Sequence, residues 1–107
     1  MSTTLFTPEI EARLQEQFAY GSNLDQQHAL CKIFDSQGVG IWYLLNQDPK
    51  DPNMLYCIGT NGEEHKIGNI KKSELEDLVL NQSIRLERDL SYLPKPANEL
   101  YSQMLNS

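Results

Sequence analysis

Apolar and polar residues alternate with a period of two through the middle of this chain, from about residue 28 to residue 70. Short alternating runs are typical of half-buried β-strands. We predict four strands, at about 28–34, 39–46, 54–60 and 64–70. A glycine-containing turn at 35–38, a loop with two prolines at 48–53 and the pair Asn61-Gly62 separate them. Because Asn-Gly is typical of type I′ hairpins, and hairpin-linked strands are antiparallel, the pattern predicts an antiparallel meander.

The second predicted strand carries large apolar side chains at both odd and even positions. Residues 39, 41, 43 and 45 would face one side of the sheet, and residues 40, 42, 44 and 46 the other. A strand that is apolar on both faces is expected in the centre of a sheet, with a further layer on each side. The fourth strand has only Ile67 and Ile70 as large apolar residues, which favours an edge position.

Helical patterns flank the strands. Ile10, Leu14 and Phe18 recur every four residues behind Thr7 and Pro8, which suit the start of a helix. After the strands, Ser73-Glu74-Leu75-Glu76 has the spacing of a capping box and predicts a helix over about 73–81.

Two further elements are predicted near the C-terminus. Residues 84–87 alternate and would add a fifth strand, and Pro94 and Pro96 then interrupt regular structure. Asn98 is expected to cap a last helix with one apolar side, formed by Leu100, Tyr101, Met104 and Leu105.

The predicted fold class is therefore α+β: an antiparallel meander of four or five strands, an N-terminal helix, a helix after the meander and a short C-terminal helix. Residues 1–107 are interpreted as one domain, with 1–6 and 94–107 expected to be peripheral or flexible. For the last helix, docking on the parent domain is favoured over binding elsewhere as a helix in a groove.

Composition limits the classes of partner. A net charge of −6 and a sequence pI near 4.7 argue against direct nucleic-acid binding, which needs clustered Lys and Arg. An acidic protein could instead mimic DNA and occupy a DNA-binding protein. The carboxylates are spread along the whole chain, however, which favours an ordinary solubilising surface.

The cysteines, Cys31 and Cys57, lack the spacing of metal ligands and are expected to be free thiols. We expect no metal, no cofactor, no secretory signal and no membrane span, and hence a cytoplasmic protein.

Six residues in three places are candidates for an interaction site, and none is assigned a catalytic role. Trp42 and Tyr43 point to opposite faces of one strand, and amphipathic aromatic rings favour interfaces, although core packing is the more common use. The triplet Glu87-Arg88-Asp89 would either form a structural ion pair or present Arg88 to an anionic group. Tyr101, on the C-terminal helix, is a further candidate contact.

The order of these landmarks resembles a family of small bacterial proteins classed as domain of unknown function 2958. The resemblance extends from about Leu5 to Tyr101 and rests on five matches, at Leu5/Thr7/Ile10/Leu14, Lys32-Ile33-Phe34, Trp42-Tyr43 through Asp48, Ser73 to Leu78, and Glu87-Arg88-Asp89-Leu90 with Pro94-Lys95-Pro96. Lys66 departs from the family, which often has an acidic residue there. The resemblance implies a setting on plasmids, phages and integrative elements, but no catalytic residues.

The leading hypothesis is a non-enzymatic protein-binding module that uses the Trp42/Tyr43 face or the Glu87–Asp89 corner. The setting implied by the resemblance points to an inhibitor of a host defence system. One alternative is an enzyme that handles a small molecule or nucleotide, with Arg88 as its anion contact and a pocket that includes His65 or Tyr43. The other is the acidic DNA mimic. An exposed strand edge would also allow a homodimer.

Overall fold

The alternating segments form an antiparallel sheet in the computed structural model, which describes residues 5–80 and 85–106. The α+β class and the helices that flank the meander are confirmed. The α-helices are α1 (Pro8–Glu16), α2 (Lys72–Leu80) and α3 (Ala97–Leu105), and 3₁₀ turns lie at Phe18–Tyr20 and Leu24–Gln26. The strands are β1 (His28–Ala29), β2 (Cys31–Asp35), β3 (Ile41–Gln47), β4 (Met54–Thr60), β5 (His65–Lys71), β6 (Leu86–Arg88) and β7 (Lys95–Pro96).

The main sheet has the strand order β5-β4-β3-β2-β6. The central position of β3, the edge position of β5 and the fifth strand are all confirmed, and residue 84 lies outside the described residues. The first predicted strand is divided at Leu30. Its first part, β1, pairs with β7 in a separate two-stranded sheet.

The sheet is packed on both faces, as the apolar pattern of β3 predicts. One face, which we call the α1 face, packs against α1 and α2 through buried residues that include Leu14, Leu44 and Leu75. The other, the α3 face, packs against α3 through Leu45 and Leu100, among others. The domain therefore has three layers, with a separate hydrophobic core on each side of the sheet.

A β-bulge in β3 corrects the predicted alternation. Leu44 pairs with Cys57 and Asn46 with Tyr56, so that Leu45 is the extra residue between them. Leu44 and Leu45 consequently enter opposite cores, and both are fully buried. Asn46, predicted to share a face with Trp42, lies instead on the α3 face with Tyr56.

Asn46 is buried and joins β3 to the connection that follows α1. Its Nδ2 donates to Gln27 Oε1 at 2.9 Å and to the Gly21 carbonyl at 3.0 Å. Gln27 Nε2 in turn donates to the carbonyls of Gly21 and Asn23. These bonds satisfy two buried amides and fix residues 21–27 against the sheet.

Replacement of Asn46 by leucine is expected to lower the free energy of unfolding by about 1 to 3 kcal/mol, because it leaves Gln27 Oε1 buried without its donor. Urea denaturation followed by circular dichroism measures this difference. Gln103→Ala, at an exposed position of α3, is the control and should change stability little. Equal stabilities of the two variants would contradict the role given to Asn46.

The end of α1 and the β4–β5 turn differ in detail from the predictions. Thr7 Oγ1 accepts the Ile10 amide at 3.2 Å, which confirms the predicted start of α1. The helix ends at Glu16, however, so Phe18 lies in a 3₁₀ turn and is 41% exposed.

In the β4–β5 turn, Asn61 N donates to Glu64 O, which makes Gly62 and residue 63 the central pair. Gly62, with φ +93°, therefore occupies the first central position and not the second, as the predicted Asn61-Gly62 pair would have it.

The capping box predicted for the helix after the meander is wrong, because a distant residue caps α2. The amide of Lys72 donates to the Asn53 carbonyl and the amide of Ser73 to Asn53 Oδ1, both at 2.8 Å. The helix therefore begins at Lys72, and the β3–β4 loop satisfies its first amides. The predicted end at residue 81 lies outside the described residues.

The C-terminal helix α3 docks on the domain through Ala97 and Leu100, which are 0% and 7% exposed. It begins directly after Pro96, and the Ala97 amide donates to the Gln27 carbonyl at 3.0 Å. Asn98 lies inside the helix, so its predicted capping role is wrong. Leu105 is 59% exposed and does not belong to the docking side.

Cys31 and Cys57 are buried in the α1-face core and are free thiols, as predicted. Leu44 lies between them on the intervening strand β3. Within residues 5–80 and 85–106, no helix is long and apolar enough to cross a membrane.

Candidate functional site

A groove of about 510 Å³ opens on the α1 face, over strands β3, β4 and β5. It lies beside the part of that face on which α1 and α2 pack. Its lining combines one aromatic ring, strand glycines and charged or polar residues at the rim: Gly40, Trp42, Cys57, Gly59, Thr60, Asn61, Glu64, Lys66, Ile67, Gly68, Asn69, Ile70 and Glu74. Its volume lies within the range of ligand sites.

Glycines from three adjacent strand segments form the floor of this groove. Gly59 pairs with Trp42, and Gly68 pairs with Cys57, so both glycines lie on the α1 face. Gly40 precedes β3 and, two residues before Trp42, shares that face. A glycine within a strand weakens the sheet, and it often marks a place where a ligand or another backbone approaches closely. Two such residues, Gly59 and Gly68, lie side by side on this face and make it a candidate for close approach.

Trp42 forms one wall of the groove and is half-buried. A Cβ placed on Gly40 would lie 2.9 Å from the Trp42 Cη2 atom, so the indole occupies the space above that glycine. A Cβ on Gly59 would lie 3.8 Å from Cδ1, an ordinary contact, and one on Gly68 would have no neighbour within 4 Å. The ring thus fills one end of the glycine floor, and the space above Gly68 is open.

Three charged residues lie along the rim. Glu64 directly precedes β5, Lys66 lies within it, and Glu74 is in the first turn of α2, which follows β5. Both described ion pairs lie elsewhere in the fold, between Lys32 and Asp89 and between Lys72 and Glu11. Among the residues that the structure describes, none forms an ion pair within 4 Å with the two carboxylates or the ammonium group of the rim, which together carry one excess negative charge.

The groove adjoins an open edge of the sheet. β5 pairs with β4 over its whole length, from His65 with Thr60 to Lys71 with Met54. Among the strands that the structure describes, none pairs with the other side of β5. An edge strand of this kind presents backbone amides and carbonyls to which a further strand can bond.

A family model described as a protein of unknown function, DUF2958, matches residues 5–105. The chain belongs to the DUF2958 family. This match confirms the resemblance seen in the sequence motifs, and it assigns no activity. No curated protein and no solved structure was found to match the chain.

Tyr43 of this DUF2958 protein lies on the α3 face, away from the groove, in a cluster with Lys32, Asp89 and Tyr92. The Tyr43 and Tyr92 ring centroids are 5.9 Å apart, and Lys32 Nζ lies 6.0 Å from the Tyr43 ring and 3.8 Å from Asp89 Oδ2. Burial and the Asp89 charge raise the pKa of Tyr43. Because Tyr92 Oη also donates to the Ala29 carbonyl, the cluster ties the segment after β6 to the sheet.

The triplet Glu87-Arg88-Asp89 is divided between the two faces of the sheet. Arg88 is paired with Ile33, a residue of the α1-face core, and Glu87 with Phe34 on the adjacent position. Burial raises the pKa of the Cys31 thiol to about 11, and the positive charge of Arg88 partly opposes this increase. Glu87 and Arg88 lie on β6, at the opposite edge of the sheet from β5, and Asp89 follows directly. None of the three lines the groove.

Tyr101 lies on α3 and packs, partly buried, on the α3-face core. The structure thus places Trp42 in the groove, while Tyr43, Asp89 and Tyr101 lie on the α3 side of the sheet.

The turn after β6 exposes Leu90 and Leu93, which are 73% and 75% exposed. This turn is a second surface that a partner could contact.

A cluster around Glu11 holds α1 against α2 and the sheet. Lys72 Nζ lies 2.7 Å from Glu11 Oε1, and Gln47 Nε2 donates to the same oxygen at 3.0 Å. Burial alone would raise the pKa of Glu11, but the hydrogen bonds from Lys72 and Gln47 outweigh it and lower that pKa. Lys72 and Gln47 are both bonded to Glu11, so we assign this cluster a structural role.

The glycine floor is the part of the site that the sequence analysis missed. Gly59 and Gly68 each fall within a predicted strand, where glycine is unfavourable, and this was the available signal. Their common face, however, depends on the pairing register of β3, β4 and β5, which the structure supplies.

Proposed function

We propose that this DUF2958 protein is a non-enzymatic protein-binding module whose groove receives an extended segment of its partner. One observation carries the proposal: the strand glycine Gly68 lies on the face of the half-buried Trp42 with open space above it. A glycine within a strand costs roughly 0.5 to 1 kcal/mol relative to alanine. The Trp42 indole accounts for Gly40, whereas close approach of another chain gives Gly68 a purpose that folding alone does not.

The open edge of β5 supports a polypeptide as the occupant. A segment that adds to an edge strand gains main-chain hydrogen bonds, while its alternate side chains enter pockets on the face of the sheet. Here those alternate side chains would lie beside Gly68, on the face of the sheet that carries Trp42.

A host protein is the proposed partner. The mobile-element setting that the resemblance implies makes inhibition of a host defence protein, such as a restriction or CRISPR nuclease, the specific form of the proposal. A binding module of 107 residues suits this role, because occlusion of a partner's surface needs no reactive group.

The position of Arg88 gives less support to the enzyme alternative. That hypothesis needs Arg88 beside a pocket with His65 or Tyr43, whereas Arg88 lies at the opposite edge of the sheet from the groove. His65 Nδ1 lies 2.7 Å from Thr60 Oγ1, and Tyr43 packs on the α3 face. The DNA-mimic alternative is also less well supported, because Glu11 and Asp89 are each engaged by a lysine.

Filling the groove tests the proposal. Gly68→Val should abolish capture of the partner, because the new side chain occupies the open space, and should leave stability unchanged or raise it by up to about 1 kcal/mol. The tagged protein, Gly68→Val and Ala19→Val are each incubated with lysate of a natural host, and captured proteins are identified by mass spectrometry. Ala19 is exposed in the 3₁₀ turn after α1 and does not line the groove, so its variant is the matched control.

The proposal predicts a captured protein that the parent and Ala19→Val retain and Gly68→Val loses. Equal capture by all three proteins would show that the groove is not the binding surface. A Leu90→Ser variant then tests the exposed turn after β6. If no protein is captured, the protein-binding function itself is rejected.

A further inference from the structure

The charges on the groove rim specify the chemistry of the partner segment. This inference rests on the proposed function. We infer that the segment carries lysine or arginine side chains, which lie in the groove lined by Trp42 and the carboxylates of Glu64 and Glu74. Glu64 precedes β5 and Glu74 follows it, so the two carboxylates come before and after the strand along which the segment would extend.

Charge complementarity favours cationic side chains in the groove beside Glu64 and Glu74. Neither Glu64 nor Glu74 forms an ion pair with a described residue within 4 Å. The whole chain carries a net charge of −6, which attracts a basic segment from a distance and raises its association rate. A segment with carboxylates in place of these cations would instead meet like charges at Glu64 and Glu74.

Trp42 strengthens the preference for a cation. An ammonium or guanidinium group placed over an indole is attracted by the negative potential of the ring face, and tryptophan is the most favourable aromatic residue for this contact. In the described parts of the chain, the lysine–aromatic contacts involve Tyr43 with Lys32 and Phe6 with Lys72. Trp42 has no such contact there, so its ring is available to a cation from the partner.

Lys66 is the positively charged residue of the rim. Its replacement should change the affinity for the segment in the opposite direction from replacement of Glu64 and Glu74. Lys66 lies opposite Gly59 on the α1 face, exposed, between the positions of Glu64 and Glu74 along the chain. Its ammonium group repels a cationic segment, and its removal should therefore tighten binding. No structural role for Lys66 predicts that effect.

The probe is a pair of capped peptides, acetyl-Thr-Val-Arg-Val-Thr-amide and the same peptide with citrulline in place of arginine. Citrulline keeps the shape of the side chain but is neutral. Trp42 is the only tryptophan of the chain, so its fluorescence reports occupation of the groove directly. We expect the arginine peptide to bind at least about fivefold more tightly than the citrulline peptide at low salt, and this difference to shrink as salt screens the charges.

Three variants complete the experiment. Glu64→Gln with Glu74→Gln should weaken binding of the arginine peptide by about three- to tenfold and leave the citrulline peptide unaffected. Lys66→Gln should tighten binding of the arginine peptide. Gly68→Val should abolish binding of both peptides. Because Glu64, Lys66 and Glu74 are at the rim, none of these charge variants is expected to change the fold.

The outcomes separate this inference from the proposed function. Equal binding of the two peptides would overturn the inference while leaving the groove as a peptide site. If neither peptide binds, but a host protein is captured in a manner that depends on Gly68, the inference is also rejected and the proposed function stands. If both the peptide titration and the host capture fail, the proposed function fails with it.

Discussion

Replacement of Leu45 by alanine is expected to lower the free energy of unfolding by about 2 to 5 kcal/mol. Leu45 is fully buried in the α3-face core, where it packs with Ile58, Ala97 and Leu100. The loss combines the transfer free energy of the removed atoms with the cost of the cavity left behind. Since small domains are stable by about 5 to 15 kcal/mol in total, the variant should lose a large fraction of its stability.

Urea denaturation monitored by circular dichroism measures the effect, and Leu105→Ala is the matched control. Leu105 lies on α3 but is 59% exposed, so the same substitution there should cost little. The comparison tests whether α3 packs tightly on the α3 face of the sheet. A loss below about 1 kcal/mol for Leu45→Ala would mean that the α3-face core is not tightly packed, and would contradict the three-layer description.

The sequence predicted the sheet well because local patterns determine most of it. Alternation in β3 and β4 and the hairpin turns specify strands, and the two apolar faces of β3 specify its central position. The features that the sequence did not predict depend on distant contacts. Asn53 caps α2 across a sequence separation that no local motif reveals, and the bulge at Leu45 changes which face Asn46 occupies.

The candidate site was predicted less completely for the same reason. Trp42 could be selected by residue type alone, because an aromatic ring on a central strand is a reasonable contact. The groove beside it results from the register that aligns Gly59 and Gly68 on the face of Trp42. Conversely, Glu87, Arg88 and Asp89 are consecutive in sequence, but a strand directs consecutive side chains to opposite faces. Proximity along the chain therefore did not make them one site.

The two faces of the sheet differ in how completely they are covered. α3 and the Tyr43/Tyr92 cluster pack on one face, and the described ion pair there, between Lys32 and Asp89, is partly shielded from solvent. On the other face α1 and α2 pack beside the glycine floor and leave the groove open. Stability and binding are thus assigned to different parts of the structure, which is why Gly68→Val should affect binding without loss of stability.

Alkaline pH is expected to destabilise the protein strongly. Burial raises the pKa of Cys31 to about 11 and that of Cys57 to about 12, whereas a thiol in the unfolded chain ionises near pH 9. Burial likewise raises the pKa of Tyr92 to about 12. Between pH 9 and 12 the unfolded state therefore binds fewer protons than the folded state, and the free energy of unfolding falls as pH rises. Below pH 9 these groups are protonated in both states and contribute no pH dependence.

The size of this effect follows from the shifts in pKa. One unit corresponds to about 1.4 kcal/mol, so Cys31 alone should remove roughly 2 to 3 kcal/mol by pH 11, and Cys57 a comparable amount. The free energy of unfolding is measured by urea denaturation at pH 7 to 10.5 in the presence of reductant. Cys57→Ala should be less stable at pH 7, because it leaves a small cavity, but its stability should fall less steeply above pH 9. Parallel curves for the parent and Cys57→Ala would show that burial of this thiol is not linked to folding, and that the groove floor admits water down to Cys57.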